Sequence, residues 1–120
     1  MNHYELTLFD NDLAEVLRRV AYGKTIPTVI GRTWDEVQAG NVTFEIEGWT
    51  IVIFNDGDSL DYIDEVTAPD GRHADFDDWS NNPKLGCDPL RRYGSMGPRE
   101  SADLLNALKA ATASVASTSP

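Results

Sequence analysis

The sequence predicts an α+β fold: an antiparallel β-meander of about four strands (42–79) packed in two layers on N-terminal (11–22) and C-terminal (99–112) helices. Three observations predict it. Apolar residues recur at helical spacing near both ends, alternate with polar residues in the middle, and are divided there by short clusters of Asn, Asp, Gly and Pro. The 120 residues suit one domain, 1–112, with a small, polar and disordered tail at 113–120.

In the first helix Leu13, Val16, Leu17 and Val20 share a face. Asp10, Asn11 and Asp12 each offer an N-cap, Glu15 falls in the first turn, and Arg18 and Arg19 precede a C′ candidate at Gly23, as the helix dipole favours. Thr25 to Ile30, interrupted by Pro27, reads as an extended linker or a short edge strand. Thr33-Trp34-Asp35-Glu36 is a capping-box sequence, which predicts a helix of about two turns ended by Gly40.

Val42, Phe44 and Ile46 alternate with Thr43, Glu45 and Glu47. A two-residue turn at Glu47-Gly48 would set Ile46 opposite Trp49, Phe44 opposite Ile51 and Val42 opposite Ile53, all six on one face. Asn55 to Ser59 forms the next turn, and Leu60 to Thr67 a third strand with poorer alternation. Ala68-Pro69-Asp70-Gly71 turns the chain into a fourth strand, His73 to Trp79. Asn81 to Gly97 reads as an irregular loop. The last helix starts near Pro98, which suits its first turn, and turns Leu104, Leu105, Leu108 and Ala111 inward.

Charge is distributed unevenly. Between Glu45 and Asp78 stand eleven acids and one base, Arg72, so this block carries the whole formal charge of −10. The remainder holds nine acids and nine bases. Alternation places Glu45, Glu47, Asp75 and Asp77 on the face away from the core, with Asp56, Asp58 and Asp61 at or beside turns. Val52 and Phe54 fall on the same face as these acids. An acidic face holding apolar side chains has the composition of an interface, although acids alone also serve as a solvated, aggregation-resistant surface. Binding to nucleic acid directly, or to an anionic membrane, is disfavoured by the sign of the charge.

The lone Cys87 excludes an internal disulfide and a cysteine-based zinc site, and suggests a reducing compartment. No signal-peptide pattern opens the chain and no run approaches a membrane span, so the expected location is the cytoplasm. No catalytic, metal or cofactor motif stands out. Asp56 to Asp61 resembles a calcium loop only superficially, since Leu60, Asp61 and Thr67 occupy positions that need an oxygen ligand, Gly and Glu. Paired carboxylates on a sheet also suit acid–base hydrolysis, and His73 a general base, but an exposed edge histidine is the plainer reading.

Thr33 to Asp88 resembles a family of small uncharacterised bacterial proteins that contain a domain of unknown function. The resemblance rests on Gly31-Arg32-Thr33-Trp34-Asp35-Glu36 with Gly40, then Gly48-Trp49, Asn55-Asp56, Leu60-Asp61-Tyr62, Pro69-Asp70-Gly71-Arg72 and Asp88-Pro89. It implies no activity and no cofactor. Members often carry cysteines near the third strand, where this chain has Gly57, Ile63 and Val66. In character, though not in motif, the chain is similar to short acidic inhibitors of bacterial defence systems made by phages and mobile elements.

The expectation is a non-enzymatic binding module whose acidic sheet occupies a basic, nucleic-acid-binding surface of a partner protein, most concretely an anti-CRISPR protein. The contacts would come from Glu45, Glu47, Asp75, Asp77, Asp56, Asp58, Asp61, Val52 and Phe54. Two alternatives are an immunity- or antitoxin-type partner of a basic toxin and a carboxylate-rich cation-binding protein or small hydrolase. A homodimer through Val52 and Phe54 is a further arrangement of the same face.

Overall fold

A computed structural model describes residues 3–80 and 98–113. Helix α1 (His3–Ala21) is followed by five strands, β1 (Thr28–Ile30), β2 (Ala39–Ile46), β3 (Trp49–Asp56), β4 (Leu60–Thr67) and β5 (His73–Asp75). A short helix α2 (Phe76–Ser80) follows directly, and α3 (Pro98–Ala110) closes the described chain. The strands form one antiparallel sheet in sequence order. Helices α1 and α3 pack on each other and on one sheet face. This is the α+β two-layer arrangement that the sequence predicts. The expected loop at Asn81 to Gly97, Cys87 and residues 114–120 lie outside the described residues.

Helix α1 begins earlier than its three capping candidates suggest. Phe9 is fully buried, with its ring centroid 5.4 Å from that of Trp49. It extends the stripe of Leu13, Val16, Leu17 and Val20 by one turn, so packing carries the helix through Asp10–Asp12. At the other end Gly23 takes φ 73°. Its N–H reaches the Val20 carbonyl and that of Lys24 the Arg19 carbonyl, which is a Schellman motif.

The two-turn helix expected at Thr33 is a single turn. Glu36 Oε1 accepts from the Thr33 N–H at 2.8 Å, so half of the capping box forms. Asn55, buried in β3, then donates its amide to the carbonyls of Trp34 and Val37 at 3.2 and 2.6 Å. Those carbonyls are the ones a continuing helix would use. Gly40 therefore lies in β2 rather than ending a helix.

The β2–β3 register matches the predicted one: Ile46, Phe44 and Val42 oppose Trp49, Ile51 and Ile53. Glu47 and Gly48 both take positive φ, 52° and 84°, as a type I′ hairpin turn requires. A Cβ on Gly48 would lie 3.2 Å from the Pro69 side chain, so packing as well as conformation favours glycine there. The irregular alternation of β4 comes from two register shifts. Val52 pairs with Glu65 but Ile53 with Ile63, and Phe54 pairs with Tyr62 but Asn55 with Leu60. Asp64 and Asp61 are the extra residues of these bulges, which returns Ile63 and Val66 to the core.

One further expectation is corrected. The strand from His73 stops at Asp75, and Phe76 to Ser80 is helical. Asp75 and Asp78 cap this turn reciprocally: Asp78 Oδ2 accepts from the Asp75 N–H at 2.8 Å, and Asp75 Oδ1 from the Asp78 N–H at 3.2 Å. At the opposite edge Thr28–Ile30 takes one of its two expected forms, a short edge strand. Its Val29 N–H bonds the Thr112 carbonyl at 2.9 Å, and Val29 bridges Ala113 in parallel.

Candidate interaction surface

The sheet face away from α1 and α3 is built from cross-strand rows. One row runs Ile30, Thr43, Val52, Glu65, Asp75 across all five strands. A second runs Thr28, Glu45, Thr50, Thr67, His73, and a third Asn41, Phe54, Tyr62. Direct partners in antiparallel strands share a face, so Glu45, Glu65 and Asp75 occupy one surface with Val52 and Phe54. The Asp64 bulge reaches the same surface, where its carboxylate accepts from Asn41 Nδ2 at 3.3 Å. Thr67 Oγ1 and His73 Nδ1 share a 2.8 Å hydrogen bond along the second row, with His73 exposed on the edge strand.

Aromatic rings adjoin the acids. Phe54 and Tyr62 stack with centroids 5.1 Å apart and planes 4° from parallel. Tyr62 meets Phe76 at 4.9 Å and 53°. Phe76 remains 41% exposed, which is unusual for a large apolar side chain. Beside it opens a cavity of about 270 Å³ lined by Asp64, Glu65, Asp75, Phe76 and Asp77.

Other acids of the block face the helices. Glu47 does not join the outer face, because the hairpin turn swings it toward α1. There it accepts two hydrogen bonds of 2.9 Å from Arg19 Nε and Nη2. Asp58 accepts from Trp34 Nε1 at 2.9 Å and from Lys109 Nζ of α3 at 3.0 Å. Asp70 lies 2.8 Å from Arg72 Nε, and Arg72 also reaches Asp12 at 3.2 Å. These partners hold all three carboxyls below the usual range: Arg19 acts on Glu47, Lys109 first and then Trp34 on Asp58, and Arg72 on Asp70. Asp77, expected to alternate along a strand, stands instead in the first turn of α2 and lines the cavity. Asp56 ends β3 exposed, and Asp61 is half-buried at its bulge.

The surface therefore keeps part of the predicted acid set and gains residues that alternation misses. Glu45, Asp75, Val52 and Phe54 lie where expected. Glu65, Asp64, Tyr62 and Phe76 join them only because the bulges and the Asp75–Asp78 cap reset the pattern. The D-x-x-D spacing was the available signal for the cap. Among the described residues, no salt bridge reaches Glu45, Glu65 or Asp75, whereas Arg18, Arg19, Arg72 and Lys109 all pair with acids of the helical side or the turns. No group of three or more His, Cys, Asp or Glu among the described residues is arranged to hold a metal ion, and no helix there is long and apolar enough to cross a membrane.

Residues 7–109 match a protein family described as a domain of unknown function, DUF7693. No curated protein and no solved structure matches the chain.

Proposed function

The chain belongs to the DUF7693 family, and we propose that it is a non-enzymatic binding module whose outer sheet face docks on a basic surface of a partner protein. One observation carries this reading. Ion pairing neutralises acids on the helical side, while Glu45, Glu65 and Asp75 stand together on the other, around Val52, Phe54 and Tyr62. A face that only kept the protein in solution would not need apolar and aromatic side chains among its charges. An interface uses both: the rings bury area at its centre, and the acids select and steer the partner.

Carboxylates on a pleated sheet are spaced at about 5 Å across strands and about 7 Å along them, a density comparable with nucleic-acid phosphates. The basic surface that fits best is therefore a nucleic-acid-binding one, which the module would occupy by steric and electrostatic competition. An inhibitor of this kind suits a phage or mobile-element anti-defence protein, anti-CRISPR proteins being the most concrete example. Glu45, Glu65 and Asp75 are the leading contacts, with Asp64, Asp77, Val52 and Phe54 beside them.

The test compares the native chain with a Glu45→Lys/Glu65→Lys variant in affinity capture from the native host with salt elution. The expected result is a nucleic-acid-binding protein that only the native chain retains, and whose nucleic acid the native chain displaces. Equal retention by both proteins at low salt would overturn the electrostatic model.

A further inference from the structure

The acids of the outer face do not by themselves distinguish one cation from another, but the rings beside them do. Phe54, Tyr62 and Phe76 form a continuous ladder, with centroids 5.1 and 4.9 Å apart, that ends at the partly exposed Phe76 ring. That ring forms a wall of the cavity whose other sides are Asp64, Glu65, Asp75 and Asp77. Glu65 and Asp75 are direct partners across β4 and β5, so their carboxylates flank one spot from adjacent strands. The cavity has room for one long side chain.

Resting on the binding-module reading, we infer that this corner takes an arginine side chain of the partner and selects it over lysine. A guanidinium is planar, weakly hydrated and carries five donors in a fork, so it can stack on a ring while bonding two carboxylates. A lysine ammonium is a compact and strongly hydrated charge that meets the acids but gains less from the ring. The partner is therefore a protein segment that presents arginine, with its guanidinium on Phe76 and its donors shared between Glu65 and Asp75. Asp75 keeps one carboxylate oxygen on the Asp78 N–H, which fixes its direction.

The probes are hexa-arginine and hexa-lysine peptides, titrated by calorimetry at low salt. Variants are Phe76→Leu, which keeps apolar bulk without the ring, and Glu65→Gln/Asp75→Asn, which keeps shape and the Asn-compatible cap. Asp35→Asn/Asp103→Asn, two exposed acids away from this corner, is the control for net charge. Hexa-arginine should bind about threefold to tenfold tighter than hexa-lysine, and Phe76→Leu should remove that difference. Ring resonances of Phe76 and Tyr62 should move more than those of buried Phe9 in the native chain, a readout that needs no variant. Equal affinity for the two peptides, or a preference that survives Phe76→Leu, overturns the arginine selection. In that case the binding-module reading stands if Glu65→Gln/Asp75→Asn weakens both peptides and Asp35→Asn/Asp103→Asn does not. If neither peptide binds, or if the control costs as much as the double variant, the module reading falls with it.

Discussion

Arg19 on α1 holds Glu47 in the β2–β3 turn through two parallel hydrogen bonds of 2.9 Å, joining the helical layer to the tightest turn of the sheet. Glu47 is one of two described non-glycine residues with positive φ, so the ion pair stabilises a residue whose backbone conformation is itself costly. Both side chains are more than a third exposed, which limits the pair to about 0.2–1 kcal/mol. Arg19→Met should therefore cost stability in that range, measured by urea unfolding. Glu47→Gly should cost less than the lost pair alone, because glycine relaxes the turn. A larger loss in Glu47→Gly than in Arg19→Met would contradict this account.

Asn55 is the described polar residue that the core buries, and all its contacts are structural. Its amide serves the Trp34 and Val37 carbonyls, and its Oδ1 accepts from the Asp58 N–H at 2.8 Å. Asn55→Ala leaves three backbone groups without these partners and should destabilise the fold by about 2–4 kcal/mol. Asn55→Asp, which keeps the acceptor but loses both donors, should be no milder. Calorimetric melting of both variants checks the claim.

The pH dependence follows from Asp58. Lys109 and then Trp34 lower its pKa from an ordinary 3.8. A carboxyl depressed in the folded state contributes stability that is present above its unfolded pKa and lost as pH falls through the lowered folded value. Lys109→Met should thus be less stable than the native chain at neutral pH, and the gap should shrink on acidification below the ordinary Asp value. Trp34 fluorescence during acid titration reports the same event, since its indole N–H donates to that carboxylate. A gap independent of pH would show that Lys109 acts through packing alone.

Glu65 and Asp75 are like charges on directly paired residues. Such a pair opposes folding, so Glu65→Gln should raise stability by about 0.2–1 kcal/mol at low salt, with less gain at high salt. The same substitution is expected to weaken partner binding. A residue that costs stability and contributes binding is the pattern of a functional surface, and unfolding curves at two salt concentrations measure its first half.

Much of the architecture was legible because it depends on period and turn chemistry. The alternation of Val42, Phe44 and Ile46 with the Glu47-Gly48 turn set one hairpin register residue by residue. The stripe from Leu13 to Val20 likewise marked the buried face of α1. What was hidden depends on partners distant in sequence. The turn at Thr33 is cut short by an amide from Asn55, and Glu47 finds its partner in an arginine 28 residues earlier. The bulges at Asp61 and Asp64 were visible only as poor alternation, because an extra residue shifts the phase without leaving a motif. The candidate surface was therefore half legible: Glu45 and Asp75 obey the period, while Tyr62, Glu65 and Phe76 depend on its interruptions.

Among the described residues, ion pairs tied to the helices and open carboxylates across the sheet also make the charge lopsided. A positively charged body would act on it before touching it, turning the sheet forward as the two diffuse together. Encounters would then begin in a narrowed set of orientations, and their frequency would fall steeply as salt shortens the reach of the field. The separation of charge between the two layers would thus govern how fast a complex forms, apart from how long it lasts.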